Sequence, residues 1–488
     1  MSNSVKNPEP NGAGASDSLA YLSIDELLRG YRAGSVSPVQ AVDEALRRIE
    51  RYNPSLNAFA HLTAERAAHE ARESEKRWRA GTPAGPLDGI PVTVKDTLMV
   101  RGCPFRRGSL ATSDAPMQES APVVDHVLGS GAVLLGITTT PEFGSGPVTI
   151  SPLTGITRNP WDTTKNSGGS SGGAAAATAA GIGTAALATD AGGSTRIPAS
   201  LCGVVGFKPT GGRFPTYPPN VAGTLSSPGA IARSVRDAAL MADVMAQTDL
   251  RDPEMLPPAG IRYADTLDDL RASLQSSPGS LRIAFTTTMG YAKRVDPQVA
   301  QRVQAAARHF ESLGFIVEEA DPGIDNPVAD FLTLFRSGFA YTLSRFSDEQ
   351  KQLIGQTLRD TVAQGAQISV AQYLAAQDAR RAIARRLHDF HRRYALLLTP
   401  TCAVPAFTAD RWIPEGFPEN ESRAWTPFAS VFNLTQQPAI SIPCGLTAEG
   451  LPVGLQIAGP RFADANVLGA AHLYETTCPD PIGRPKLT

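Results

Sequence analysis

The sequence predicts an α/β chain, and three observations carry that prediction. Capped, amphipathic helical segments recur along the chain, beginning with Ser23/Glu26 and Ser37-Pro38/Gln40. Short apolar runs of strand length stand between them, such as Ile90–Val94, Ala185–Ala188 and Leu396–Leu398. One stretch, from Arg282 to Glu318, reads as a complete strand–helix–strand unit.

Composition bounds what such a chain can be. Its 488 residues carry 42 % hydrophobic side chains and a net charge of −2, which describes a globular protein with a substantial core. There is no basic field, so nucleic-acid binding has no electrostatic support. The five cysteines (Cys103, Cys202, Cys402, Cys444, Cys478) are scattered without metal-ligand spacing, which points to a reducing compartment rather than a disulfide framework. The start of the chain lacks the apolar region of a secretory signal, and no apolar run is long enough to cross a membrane. A cytoplasmic protein that needs no metal or cofactor, monomeric or homodimeric, is the expectation.

Taken in order, residues 1–19 are rich in Asn, Pro, Gly and Ser and are expected to be a disordered tail. Ser23 with Glu26 opens a short helix. Ser37 and Gln40, with Pro38 in the first turn, open another, whose Val39, Val42, Leu46 and Ile49 share one face. A charged, Ala-rich helix follows from about Thr63 to Arg79. Ile90, Val92 and Val94 alternate as in a strand buried on one face, with Lys95 near its end. Residues 120–136 read as helix then strand. Phe143–Gly146 is either a pocket wall or an ordinary loop. Phe214–Asn220 is a Pro-rich loop with two aromatics, suited to the mouth of a site. A helix opens near Ser234. Residues 249–280 break the composition like an insertion. Asp296-Pro297 caps the helix of the strand–helix–strand unit, which has no glycine fingerprint for a dinucleotide. Phe331, Phe335 and Phe339 recur every four residues, as a core stripe or as a pocket wall. Ser369 with Gln372 opens a long basic helix to about Tyr394; strands at Leu396–Leu398, Pro438–Pro443 and within Gly450–Gly459 close the chain.

The stretch that carries chemistry runs from Lys165 to Thr210, KNSGGSSGGAAAATAAGIGTAALATDAGGSTRIPASLCGVVGFKPT. Two glycine-flanked serines, Ser170 and Ser194, bracket an alanine-rich segment with room for one short helix and one short strand. A flexible Gly/Ser linker would not continue into GVVGFKPT, and a phosphate loop would need Gly-Lys-Ser/Thr where Gly173-Ala174 stands. The stretch resembles the signature of the amidase signature family. So does Gly89-Ile90-Pro91-Val92-Thr93-Val94-Lys95-Asp96 upstream, and Asn159-Pro160-Trp161-Asp162 matches the family's lead-in to the first serine. Thr139, where the family usually has Asn, and Lys165, where Arg is more usual, depart from the pattern.

The resemblance implies one α/β domain over 20–488, with a central mixed, twisted sheet covered by helices on both sides. Its signature core would span about 85–240 and a variable, pocket-forming region about 245–430. It also implies a Ser–cis-Ser–Lys triad: Ser194 as nucleophile, Ser170 as the bridging serine, Lys95 as base. Burial disfavours a charged lysine, and a neutral amine can act as a base; Asp96 is then expected to point elsewhere. Backbone N–H groups of Ala191, Gly192, Gly193 and Ser194 are the expected oxyanion donors, with Asp190 and Arg196 as a bracing pair. Phe143, Gly144, Tyr217, Phe335, Phe339, Trp425 and Phe428 are the candidate pocket residues. None of the seven histidines lies in a serine motif, and Gly168–Gly172 fits a nucleophile elbow only formally. The activity implied is hydrolysis of small, largely uncharged amides, with carbamates and esters within reach. The alternative is the glutaminase component of a tRNA-dependent amidotransferase. There an acidic residue is expected where Thr426 stands, and the aromatic run around Trp425 and Phe428 disfavours a charged substrate.

Overall fold

Eleven strands form one mixed sheet in the computed structural model, which describes residues 19–418, 421 and 423–487. Along the chain they are β1 (Phe59–Leu62), β2 (Pro91–Lys95), β3 (Val133–Thr138), β4 (Ala185–Asp190), β5 (Val205–Lys208), β6 (Ser227–Ala232), β7 (Arg282–Phe285), β8 (Ile316–Glu319), β9 (Leu396–Pro400), β10 (Ala439–Leu446) and β11 (Pro452–Ala458). Their spatial order is β1-β3-β2-β4-β6-β5-β10-β11-β9-β7-β8. Strands β3, β2 and β4 run parallel to one another, as do β9, β7 and β8; the other pairings are antiparallel. The expected tail, residues 1–19, lies almost wholly outside the described residues.

Side-chain alternation along the strands splits the core into two faces. Val92, Val94, Leu134, Leu187, Phe207 and Ile440 pack on one face with apolar residues of the helices Ile24–Ala33, Pro122–Gly129, Val235–Met245, Pro297–Ser312 and Asp464–Thr477. Val133 and Leu135 turn the other way, into the helices Pro38–Leu56 and Ala64–Arg79. Ala186, Ala188 and Ile231 also turn that way, against the short helices Gly172–Ala179 and Arg196–Cys202. The alanines are small because these two helices lie directly on the sheet and on each other; every residue of Gly172–Ala179 is buried. Cover on both faces also corrects the reading of β2. It is buried along its whole length, Thr93 and Lys95 included, rather than on one face.

Local signals at helix starts match the structure. Ser23/Glu26, Ser37/Gln40 and Ser369/Gln372 form reciprocal capping boxes. The Asp296 side chain accepts from Gln298 N and Val299 N. Helix Pro297–Ser312 is the crossover between the parallel strands β7 and β8. Within 249–280, Leu267 and Leu274 join the same apolar cluster as the sheet, so this segment adds to the main core.

Leu187 is fully buried in β4, two residues before the strand delivers Thr189. Leu187→Ala is expected to cost about 2–5 kcal/mol through lost transfer energy and a residual cavity. A drop in thermal midpoint checks this; an unchanged midpoint would mean that the sheet collapses around the gap.

Candidate active site

Parallel pairing of β2 with β4 brings two strand ends to one edge, where ligands of open α/β sheets bind. β2 ends in Lys95. Its Nζ donates to Ser170 Oγ at 2.7 Å, to Thr189 Oγ1 at 3.0 Å and to Thr189 O at 3.4 Å. Lys95 is fully buried. Burial lowers its pKa from 10.5 to about 7, against the opposing charges of Asp190 and Asp96. Asp96 does point elsewhere: its carboxylate accepts the backbone N–H of Arg106 at 3.0 Å and of Gly108 at 2.8 Å. Burial pushes the Asp96 carboxyl up to about 6.

Ser170 precedes the helix Gly172–Ala179, and its peptide bond to Gly169 is cis. Ser194 follows β4 on a tight turn, and Ser171 N–H donates to Ser194 O at 3.2 Å, which sets the two serine segments side by side. Both Ser170 and Ser194 line one small cavity, with Thr97, Gly144 and Ala191 among its other walls.

The turn Ala191–Ser194 is held by a buried ion pair. Asp190 and Arg196 are both fully buried and meet at 2.9 and 3.0 Å. Burial alone would raise the Asp190 pKa, but the charge and hydrogen bonds of Arg196 hold its carboxyl well below the usual range. The remaining Arg196 N–H groups reach Ala429 O, Gln456 Oε1 and Asn433 Oδ1 at 3.1, 2.7 and 2.8 Å. Asp190 also accepts the N–H groups of Gly193 at 2.7 Å and Thr195 at 3.1 Å. This corrects one expected role. Gly193 N–H is spent on Asp190, so of the four expected oxyanion donors only those of Ala191, Gly192 and Ser194 carry no acceptor among the described residues. Both glycines are needed for room. A Cβ on Gly192 would sit 2.5 Å from Phe331 Cζ, and Gly193 has φ +108° with Ala429 and Ile197 pressed against it.

The candidate pocket residues divide. Phe143, Gly144, Phe335 and Phe339 line the serine cavity. The phenylalanine stripe therefore does both things expected of it, since Phe331, Phe335 and Phe339 are also core residues of one cluster. Tyr217 lines an adjoining chamber that shares Thr97, Phe143, Thr189 and Asn220 with the first. Trp425 and Phe428 are not pocket residues. Both are fully buried: Trp425 packs edge-on to Phe407 at 5.0 Å, and Phe428 sits among Leu397, Val431 and Phe432. The aromatic run therefore says nothing about the charge a substrate carries. A larger cavity, of about 410 Å³, lies by Tyr21, Trp161 and Arg484, with neither serine in its wall.

Several residues of the site had no readable signal. Thr189 sits inside the second motif, but only the parallel register turns it toward Lys95. Asn433 and Gln456 meet Arg196 from more than two hundred positions away. Glu142 accepts from Ser109 Oγ and Gly355 N, both at 2.7 Å, and so pins the loop that carries Phe143. Lys208, in the GVVGFKPT run, is fully buried and donates to Pro209 O at 2.7 Å.

The chain is similar in sequence and in structure to known proteins over nearly its whole length. Residues 40–468 match the family model described as Amidase. An acylamidase of Rhodococcus erythropolis is 35 % identical over 94 % of this chain and 96 % of its own length. The A component of the glutamyl-tRNA(Gln) amidotransferase of Synechococcus sp. (strain CC9605) is 34 % identical over 95 % and 98 %. The crystal structure of a bacterial aryl acylamidase of the amidase signature family superposes with a TM-score of 0.87, at 29 % identity, over 95 % of this chain and 99 % of that one.

Replacing Arg196 by Met leaves a buried carboxylate without its counter-ion, and is expected to destabilise the protein by about 3–5 kcal/mol. Because the folded pKa of Asp190 lies below the unfolded value of about 3.9, its stabilisation is complete above that pH and fades on further acidification. Denaturation followed from pH 7 to pH 2 should show this loss in the native protein and little of it in Arg196→Met.

Proposed function

Because the chain belongs to the amidase signature family and is an amide hydrolase of that class, we propose that it cleaves small aryl or alkyl amides through an acyl-enzyme on Ser194. The observation that carries this reading is the contact of Lys95 Nζ with Ser170 Oγ at 2.7 Å, in a cavity that Ser194 also lines.

The three oxygens around Lys95 Nζ can serve either the ammonium or the neutral amine that burial favours. An uncharged lysine has two N–H donors and one lone pair, whereas the ammonium has three donors and none. Once Lys95 is neutral, the hydroxyl and carbonyl oxygens of Thr189 can hold its two N–H groups, and its lone pair then accepts the Ser170 hydroxyl proton across the same 2.7 Å contact. Ser170 then gives its proton to Lys95 as it takes one from Ser194. Ser194 Oγ attacks the carbonyl carbon, and the oxyanion gathers at the N–H groups of Ala191, Gly192 and Ser194. Each such donor is typically worth ~10²–10³ in turnover. The C–N bond breaks as Ser170 returns a proton to the leaving nitrogen, drawing one from protonated Lys95. Water, deprotonated by the same relay, releases the acid and restores Ser194. Phe335 and Phe339 give the cavity an apolar wall suited to aryl or alkyl groups. Carbamates and esters have the same acyl carbon and fall within this chemistry.

A second reading has a specific observation behind it: the 34 % identity to an amidotransferase component. Against it, Thr426 stands where the glutaminase subclass places an acidic residue, and it is buried with its hydroxyl on Arg423 O.

The purified chain should release aniline from a simple anilide without partners, and matched aryl carbamates report whether urethanes are also substrates. Silence on both, with glutamine hydrolysis only after amidotransferase partners are added, would establish the second reading instead. Ser194→Ala is expected to lower kcat by on the order of 10⁴ or more; near-normal turnover would overturn the mechanism. Lys95 must be neutral to act, so kcat/KM should rise with pH and level off above its pKa of about 7. A flat profile between about pH 5.5 and 9 would exclude it as the base.

A further inference from the structure

Arg107 stands on the adjoining chamber, and no acidic side chain among the described residues is in hydrogen-bonding or ion-pair contact with its guanidinium. The chamber is lined by Thr97, Leu98, Phe105, Tyr217 and Asn220, among others, and by no acidic residue among those described. It shares Thr97, Phe143, Thr189 and Asn220 with the cavity of the two serines. No hydrogen bond or ion pair holds the guanidinium among the described residues, and its Nε is buried without a partner. Asp96 is close enough to act on it electrostatically, but its oxygens are spent on the backbone of Arg106 and Gly108.

The side chain is nevertheless held in place. The guanidinium carbon lies 4.4 Å from the centre of the Phe143 ring and 5.1 Å from that of Phe105. The Arg107 carbonyl accepts Phe143 N–H at 2.7 Å. Both residues have positive φ, +50° and +53°, a strained setting for side chains of this size. Burial lowers the Arg107 pKa only to about 10, so it is a cation at neutral pH. A fixed, part-desolvated cation beside a site is a receptor for an anion.

We propose that Arg107 is the anion subsite of this enzyme: it binds a carboxylate at the far end of the amide substrate while the scissile carbonyl lies at Ser194. The inference deepens the amide-hydrolase reading and rests on it. The planar guanidinium fork matches a carboxylate in two-point contact, and a neutral group in its place leaves a buried N–H unpaired. The substrates it selects are amides whose acyl or amine part ends in a carboxylate, such as half-amides of dicarboxylic acids or acylated amino acids.

Two matched pairs test this: succinanilic acid against the anilide with methyl in place of its carboxylate, and 4-acetamidobenzoate against 4-methylacetanilide. The carboxylate member of one pair should have the higher kcat/KM by about tenfold or more, and which pair responds locates the charge on the acyl or the amine side. Arg107→Met should abolish that ratio, and Arg107→Lys should keep part of it. The ratio is internal to each variant, so a general loss of folding cannot imitate the result. No preference in the native enzyme, or a preference undiminished in Arg107→Met, would overturn the subsite. Calorimetric binding to Ser194→Ala separates the two readings. Arg107-dependent binding of the carboxylate compounds without turnover by the native enzyme would keep the subsite and remove the amidase reading. Carboxylate binding indifferent to Arg107 would remove the subsite alone.

Discussion

One carboxylate organises the site. Asp190 is fully buried, and a buried charge persists only if it is paired and hydrogen-bonded. It is satisfied by Arg196, by the backbone of Gly193 and Thr195, and by Asn433, whose Nδ2 also reaches the Asp190 carbonyl at 2.8 Å. Those partners come from the turn after β4, the helix that follows it and the segment Val431–Leu434. Satisfying Asp190 therefore fixes the Ala191–Ser194 turn, and with it the direction of every free N–H group there. Arg196 extends the same network to β11 through Gln456.

Lys95 lives on the opposite terms. It has no carboxylate in contact, only hydroxyl and carbonyl oxygens. Asp190 and Asp96 both favour its charged form, yet burial prevails. The division works because each acid is occupied: Asp190 by Arg196, Asp96 by the loop at 106–108. Two fully buried ionisable groups at neighbouring strand ends are thus set to opposite states, one held charged and one brought near neutrality.

Much of this is legible in the sequence because local chemistry writes it there. Capping boxes place helix starts to the residue, and strand-length apolar runs locate most of the sheet. The mixed sheet and helical cover follow the family resemblance of two motifs, and neighbours of the same fold superpose on the chain. The rest depends on register or on distant packing. Trp425 and Phe428 suggest a pocket wall because they are aromatics near a motif, but composition does not tell a wall from a core. Gly193 N–H suggests an oxyanion donor because it lies in the turn; only the fold shows that Asp190 takes it. Arg107 carries no signal in the sequence, since an arginine in a loop is ordinary until its acceptors are sought in space.

The reach of the Arg196 network has a consequence for biosynthesis. Its acceptors Ala429, Asn433 and Gln456 are made long after the serines and Lys95. A nascent chain that has emerged through Pro400 already contains the whole proposed triad. It has Asp190 to pair the charge of Arg196, but it lacks the neutral acceptors that take the other guanidinium N–H groups, and it lacks β10 and β11 from the middle of the sheet. Until those last strands appear, the turn that carries Ser194 is without part of the network that braces it.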